Sequence, residues 1–98
     1  MDEDIEGWTI GSSVSIIREH TAVDGAGPRL HKHPYAETFV VMGGRALFTV
    51  GETEREGAAG DVLVAPANVP HRFRVIGPET YVAVHIHEND RFITTWLE

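Results

Sequence analysis

Glycine and proline cut this chain so often that no apolar run is long enough for a helix of ordinary length. Ten glycines and five prolines separate short apolar runs, several of which alternate apolar with polar residues. A period of two marks a strand with one buried face, and the glycine- and proline-bearing gaps read as turns. No long amphipathic helix and no internal repeat interrupts the pattern. The 98 residues therefore read as one all-β, antiparallel domain over 1–98, near the lower size limit for a core that stands without staples.

In chain order, residues 1–7 are acidic and read as a flexible arm. Trp8 and Ile10, and then 13–18, suit strands. The segment 20–29 contains Asp24-Gly25-Ala26-Gly27-Pro28, a turn by composition, with His20 ahead of it as a surface polar residue. Further strands are expected over 30–33, 38–42, 45–50, the solvated 53–56, 62–64, 71–75 and 80–87. Phe39-Val40-Val41-Met42 is apolar on both parities. One face is expected to fill the interior and the other to pack on the N-terminal strands or on a second subunit. In the tail, Phe92 with Trp96 and Ile93 with Leu97 have helical spacing, which admits a short C-terminal helix and equally a strand.

Cysteine is absent, which removes disulfides and thiolate metal sites and leaves nitrogen and oxygen as the only metal donors. The formal charge of -7 repels phosphate backbones and anionic lipid, so neither nucleic acid nor membrane is an expected partner. The opening Met-Asp-Glu-Asp is acidic where a secretory signal is basic. A cytoplasmic protein is the expectation.

The chemistry is concentrated in 25–44. His31 and His33 lie two apart, so on a locally extended chain both rings leave one face. Glu37 adds a carboxylate. On a straight strand His31 and Glu37 would stand about 20 Å apart at about 3.3 Å per residue, too far to share one ion over bonds of about 2.1 Å. If they share a metal, the chain bends around Pro34-Tyr35. Alternation over 71–75 places His71 with Phe73 and Val75 toward the interior and both arginines outside. His31, His33, Glu37 and His71 thus form a sulfur-free ligand set for one divalent transition metal, Fe, Mn, Ni, Zn or Cu. With neutral rings the ion would keep one net positive charge, and a six-coordinate ion would keep two open positions. A His-x-His pair by itself is a weak signal, because histidines also decorate solvated strands.

The spacing resembles the cupin superfamily over most of the chain, in particular its small single-domain conserved-barrel members. The first cupin motif is a glycine, five residues, His-x-His, three or four residues, Glu, six residues and Gly, and Gly25, His31, His33, Glu37 and Gly44 fill every place. The second is a glycine, five residues, Pro-x-Gly, two residues, His, three residues and Asn, of which Gly60, Pro66 and His71 match. Asn68 replaces the inner glycine, and asparagine tolerates left-handed backbone. Val75 replaces the asparagine, which is not a metal ligand. The resemblance implies a six- to eight-stranded antiparallel jelly-roll barrel, or double-stranded β-helix, with a metal near one end of its interior, and commonly a homodimer.

Many cupins with these ligands are dioxygenases, and others isomerise, epimerise, cyclise or cleave without oxygen. The resemblance therefore implies a metal-dependent enzyme acting on a small organic molecule, a dioxygenase first. A non-oxidative isomerase, cyclase or lyase, or a non-catalytic module that binds metal or a small ligand, is the alternative. Tyr35, His85 and His87 are the catalytic candidates. Phe39, Val41, Phe48, Val64, Phe73 and Val75 are expected along an apolar pocket or in the core. His85 and His87 share one face of the last long strand, opposite Val82, Val84 and Ile86. The apolar set is expected to face the pocket, leaving the histidines outside; the reverse register would make either histidine a proton-transfer residue.

Overall fold

The computed structural model describes residues 3–98, which form two five-stranded antiparallel sheets. The strands are β1 (Glu3–Ile5), β2 (Ser15–Thr21), β3 (His31–Lys32), β4 (Glu37–Gly43), β5 (Arg45–Val50), β6 (Thr53–Ala58), β7 (Val62–Ala65), β8 (His71–Val75), β9 (Tyr81–His87) and β10 (Thr95–Trp96). One sheet has the order β1-β2-β9-β4-β7 and the other β10-β3-β8-β5-β6. Most neighbours are distant in sequence, because the chain passes back and forth between the sheets. This is the all-β jelly roll that the sequence implies. The charged β6 is an edge strand, where exposed Thr53, Glu54, Arg55 and Glu56 discourage pairing with another chain.

The pleat sorts the side chains. Along β4, Glu37, Phe39 and Val41 are buried while Thr38, Val40 and Met42 face outward. The interior is filled at one end by Val41, Phe48, Val75 and Tyr81, whose burial supplies about 1.5–3 kcal/mol each for the larger apolar side chains. The other end holds polar groups. Two backbone positions keep the strands in place. Gly44 turns β4 into β5 at φ 65°, and a Cβ there would lie 2.4 Å from the Thr80 carbonyl oxygen. Asn68 has φ 65° and occupies the place of the motif's glycine, as its short side chain allows.

Four expectations need correction. The arm over 1–7 is in part a strand: Glu3–Ile5 pairs with Arg18, Ile17 and Ile16 of β2, while residues 1 and 2 lie outside the described residues. Trp8 belongs to a 3-10 turn over Gly7–Thr9 and Ile10 caps it, instead of forming a strand, because the Ile10 N–H bonds back to the Gly7 carbonyl at 3.0 Å. The tail forms no helix; Thr95 and Trp96 pair with Lys32 and His31, which satisfies their backbone in a ladder. Finally, the N-terminal strands extend the same sheet as β4 and do not cover its outer face, so Met42 and Val64 remain about half exposed. Val64 is therefore neither pocket nor core.

Candidate metal centre

Sheet register assembles the polar end. His31 on β3 stands directly opposite His71 on β8, and Glu37 at the start of β4 stands opposite His87 at the end of β9. Between β3 and β4 the chain bends at Pro34 and Tyr35, as the reach of one ion demands. His31, His33, Glu37 and His71 are all buried, and each offers a ligand atom within 4.8 Å of the others. The fold thus brings together the four residues singled out by spacing.

The second ring nitrogens show what these histidines are prepared for. His31 Nδ1 donates to the Arg29 carbonyl at 2.7 Å, His33 Nδ1 to the Ile93 carbonyl at 2.8 Å, and His71 Nδ1 to the Val69 carbonyl at 2.9 Å. A carbonyl can only accept, so each Nδ1 carries a proton and Nε2 is the atom left to take a metal. Two of these Nε2 atoms face Glu37: its Oε1 lies 3.2 Å from His33 Nε2 and 3.1 Å from His71 Nε2. Ring nitrogen and carboxylate oxygen can share that space through a proton on Nε2 or through a metal cation between them. His33 Nε2 is moreover buried without a hydrogen-bond partner. Donor set, tautomers and the orphaned nitrogen fit a divalent cation with nitrogen and oxygen ligands.

Burial alone would push the Glu37 carboxyl up, but the rings of His33, His71 and His87 outweigh it and hold the group far below the usual carboxylate range. Burial pulls His31 down, a shift that the Arg29 carbonyl partly opposes.

The other carboxylate oxygen has its own partners. Glu37 Oε2 lies 3.1 Å from His87 Nε2 and 3.6 Å from His85 Nδ1. Behind His87, the Tyr35 hydroxyl sits 2.8 Å from Nδ1 and accepts the Ile93 N–H at 3.2 Å. Behind His85, the Tyr81 hydroxyl sits 2.8 Å from Nε2. Both histidines of β9 therefore point inward, against the preferred expectation. The misjudged signal was parity: Tyr81 and Ala83, both buried, share the histidines' face, whereas Val82, Val84 and Ile86 belong to an outer face that is itself apolar. Tyr81 has no part in the sequence-derived site, although its parity with His85 would have placed it there.

A cavity of about 450 Å³ opens onto this cluster between the two sheets. Phe39 and Phe73 line it as expected, joined by Phe92 and Trp96, while Val41, Phe48 and Val75 pack in the core.

Residues 18–87 match the cupin domain family, and the chain belongs to that family. An uncharacterized protein of Streptomyces coelicolor is 33% identical over 81 residues, which cover 76% of this chain and 77% of that protein. Among solved structures, Lactobacillus farciminis oxalate decarboxylase in a formate complex superposes with a TM-score of 0.83 at 22% identity, over 98% of this chain and 30% of that one. A Bacillus subtilis oxalate decarboxylase structure, concerned with its Mn(II) centres, gives a TM-score of 0.80 at 25% identity over 98% and 27%. This chain therefore spans less than a third of the length of either decarboxylase. Among the described residues, no helix is long and apolar enough to cross a membrane.

Proposed function

We propose that this cupin is a metal-dependent enzyme that acts on a small organic molecule at the His31, His33, Glu37 and His71 centre, and that its reaction is a dioxygenation. The observation that carries the metal assignment is the set of three Nδ1–carbonyl hydrogen bonds, which leave the Nε2 atoms of His31, His33 and His71 for an ion that Glu37 shares. The Mn(II) centres of the Bacillus subtilis decarboxylase support a divalent ion. Once bound, that ion supplies Lewis acidity and open positions for a chelating substrate.

The chain itself contributes a proton path. The Tyr35 hydroxyl, which accepts the Ile93 N–H, shares a hydrogen bond with His87 Nδ1, and His87 Nε2 lies 3.1 Å from Glu37 Oε2, buried and without a hydrogen bond of its own, so the ring can pass a proton between phenol and site. Tyr35 and His87 are thus the proposed acid–base pair, and Tyr81 holds His85 beside Glu37. Phe39 and Phe73 keep water from the inner cavity. A buried acid–base pair next to the ligand cluster favours an enzyme over a binding module. In a dioxygenation both oxygen atoms enter the product, so no separate reductant is required.

The test is oxygen uptake by protein loaded separately with Fe(II), Mn(II), Ni(II), Cu(II) or Zn(II), offered β-diketones, flavonols and aromatic acids. One dioxygen consumed per substrate is expected. Product without oxygen uptake would assign a lyase or isomerase instead, and the absence of any turnover would leave a binding module.

The same reading includes a homodimer. Val40 and Met42 of β4, Val62 and Val64 of β7, and Val82 and Val84 of β9 lie together on the outer face of one sheet, an apolar surface suited to an isologous contact between copies.

A further inference from the structure

Residues 92–94, between β9 and β10, lie in neither sheet, and side chains hold them against the polar end. Ile93 is the centre of that contact. Its carbonyl accepts His33 Nδ1–H at 2.8 Å and its N–H donates to the Tyr35 oxygen at 3.2 Å, so one residue joins a metal ligand to half of the proposed acid–base pair. The two rings it joins are stacked, 8° from parallel with centroids 5.0 Å apart. Thr94 Oγ1 stands 3.4 Å from the same His33 nitrogen, and the Phe92 ring meets His87 edge-on at 5.0 Å. What fixes this stretch comes from residues far away in the chain. Glu6 Oε2 accepts the Phe92 N–H at 3.0 Å, while Oε1 accepts the Trp8 indole N–H at 3.3 Å. The Phe92 N–H, and then the indole, hold the Glu6 carboxyl below its usual range. Glu6 is itself anchored, because its carbonyl accepts the Thr9 N–H and hydroxyl at the 3-10 turn. Next to it, the Gly7 N–H donates to Ser15 Oγ, whose hydroxyl donates to the Asn89 carbonyl, and the Trp8 N–H donates to the Asp90 carbonyl. The corner over 6–9 thus clasps the chain just before it reaches the ligand cluster.

We infer that Glu6 is a positioning residue for the metal centre: by holding the Phe92 N–H it sets Ile93, and through Ile93 it sets the His33 and Tyr35 rings together. The inference rests on the metal reading above, with Tyr35 in its proposed role. A carbonyl that holds the far nitrogen of a ligating histidine fixes the ring's orientation as well as its tautomer, and loss of such a partner costs about 10–100-fold in metal affinity. Here that carbonyl belongs to backbone outside both sheets, so its place depends on the carboxylate behind it. Slack at Ile93 displaces ligand and acid–base group at once. Coupling between two sites is reciprocal, so an ion bound to His33 in turn steadies the bond between Glu6 and Phe92.

The experiment uses the full chain and Zn(II), which is diamagnetic and leaves amide and imidazole signals visible. Zinc content is measured first, then affinity by competition with a chelator, then exchange of single amides by nuclear magnetic resonance. Glu6→Ala is expected to weaken Zn(II) about tenfold, the low end for a ligand's partner, because Glu6 acts one step farther out. Glu6→Gln keeps an oxygen for the Phe92 N–H and is expected to recover most of that loss. Gly44→Ala, strained where β4 turns into β5, is expected to stay within about twofold of the wild type, which separates positioning from stability. In the wild type, Zn(II) is expected to slow Phe92 amide exchange about fivefold or more and to leave Gly60, between β6 and β7, unchanged. That measurement needs no variant and decides the matter if Glu6→Ala does not fold. A Glu6→Ala affinity within about twofold of the wild type, a Glu6→Gln loss equal to that of Glu6→Ala, or Phe92 exchange indifferent to Zn(II) overturns the inference. A chain that takes up no Zn(II) contradicts the metal reading separately. The metal-free chain then decides the positioning: faster Ile93 exchange and a lost His33 Nδ1–H signal in Glu6→Ala support it, and Ile93 exchange equal to the wild type overturns it.

Discussion

A histidine is committed as a ligand by what its other nitrogen does. The backbone carbonyls of Arg29, Val69 and Ile93 fix three rings in one tautomer before any ion arrives. Around Glu37 the division is by oxygen: Oε1 faces His33 and His71, and Oε2 faces His87 and His85. Tyr35→Phe removes the hydroxyl that joins Ile93 N–H to His87 Nδ1. The variant is expected to lose about 1–3 kcal/mol in urea unfolding, because buried polar groups are left unpaired. Its turnover is expected to fall about 10²-fold if the proton passes through that hydroxyl.

The acid behaviour of the metal-free chain follows from the same residues. A carboxyl held below its ordinary 4.5 binds fewer protons folded than unfolded, so Glu37 stabilises the fold above that pH and the contribution is lost as pH falls toward the depressed value. His31, pulled below 6.5, acts in the same sense over a higher window. Urea midpoints are therefore expected to fall steadily on acidification, and Glu37→Gln to flatten the portion below 4.5. A midpoint that rose toward acid pH would contradict this.

His31, His33 and Glu37 were readable from the sequence because they are close in the chain and their spacing matches a known motif. His71 followed from simple alternation. His85 and His87 did not, because which face of β9 looks inward depends on how that strand pairs with β2 and β4. With apolar residues on both of its faces, hydrophobic pattern alone does not decide the matter.

Strand β9 is the element on which the molecule depends most, since it lies between β2 and β4 and supplies both inner histidines. The turn that sets its neighbour in place is Gly44, at φ 65° against the Thr80 carbonyl. Gly44→Ala is expected to cost about 1–3 kcal/mol of stability by unfolding, from left-handed backbone and a Cβ with no room. Asn68→Gly, at a comparable φ but in an exposed loop, should change stability by less than about 1 kcal/mol. The long strands were evident from alternation. Of the three shortest, β3 falls within the strand expected over 30–33, β10 is one of the two readings of the tail, and β1 was missed, because two or three residues carry no period and form strands only through their partners.

For the whole molecule, the jelly roll packs an apolar end against a polar one and leaves one broad apolar face outside. If that face joins two copies, Met42→Glu together with Val64→Lys should give a sedimenting monomer where the wild type sediments as a dimer, with far-ultraviolet circular dichroism unchanged. A wild-type monomer would remove the dimer from the account. The overall architecture followed from turn punctuation and the motif, whereas the outer lining of the cavity did not. Asp4, Glu19 and Glu37 are far apart in sequence and line one cavity only because β1, β2 and β4 belong to one sheet.

The metal content of the purified chain tests the central claim most directly. Elemental analysis should find close to one divalent transition metal ion per chain, with most of it lost in His33→Ala and in His71→Ala while both variants remain folded. Wild-type protein that stays metal-free after incubation with all five ions, or variants that keep the wild-type content, would contradict the assignment of His31, His33, Glu37 and His71.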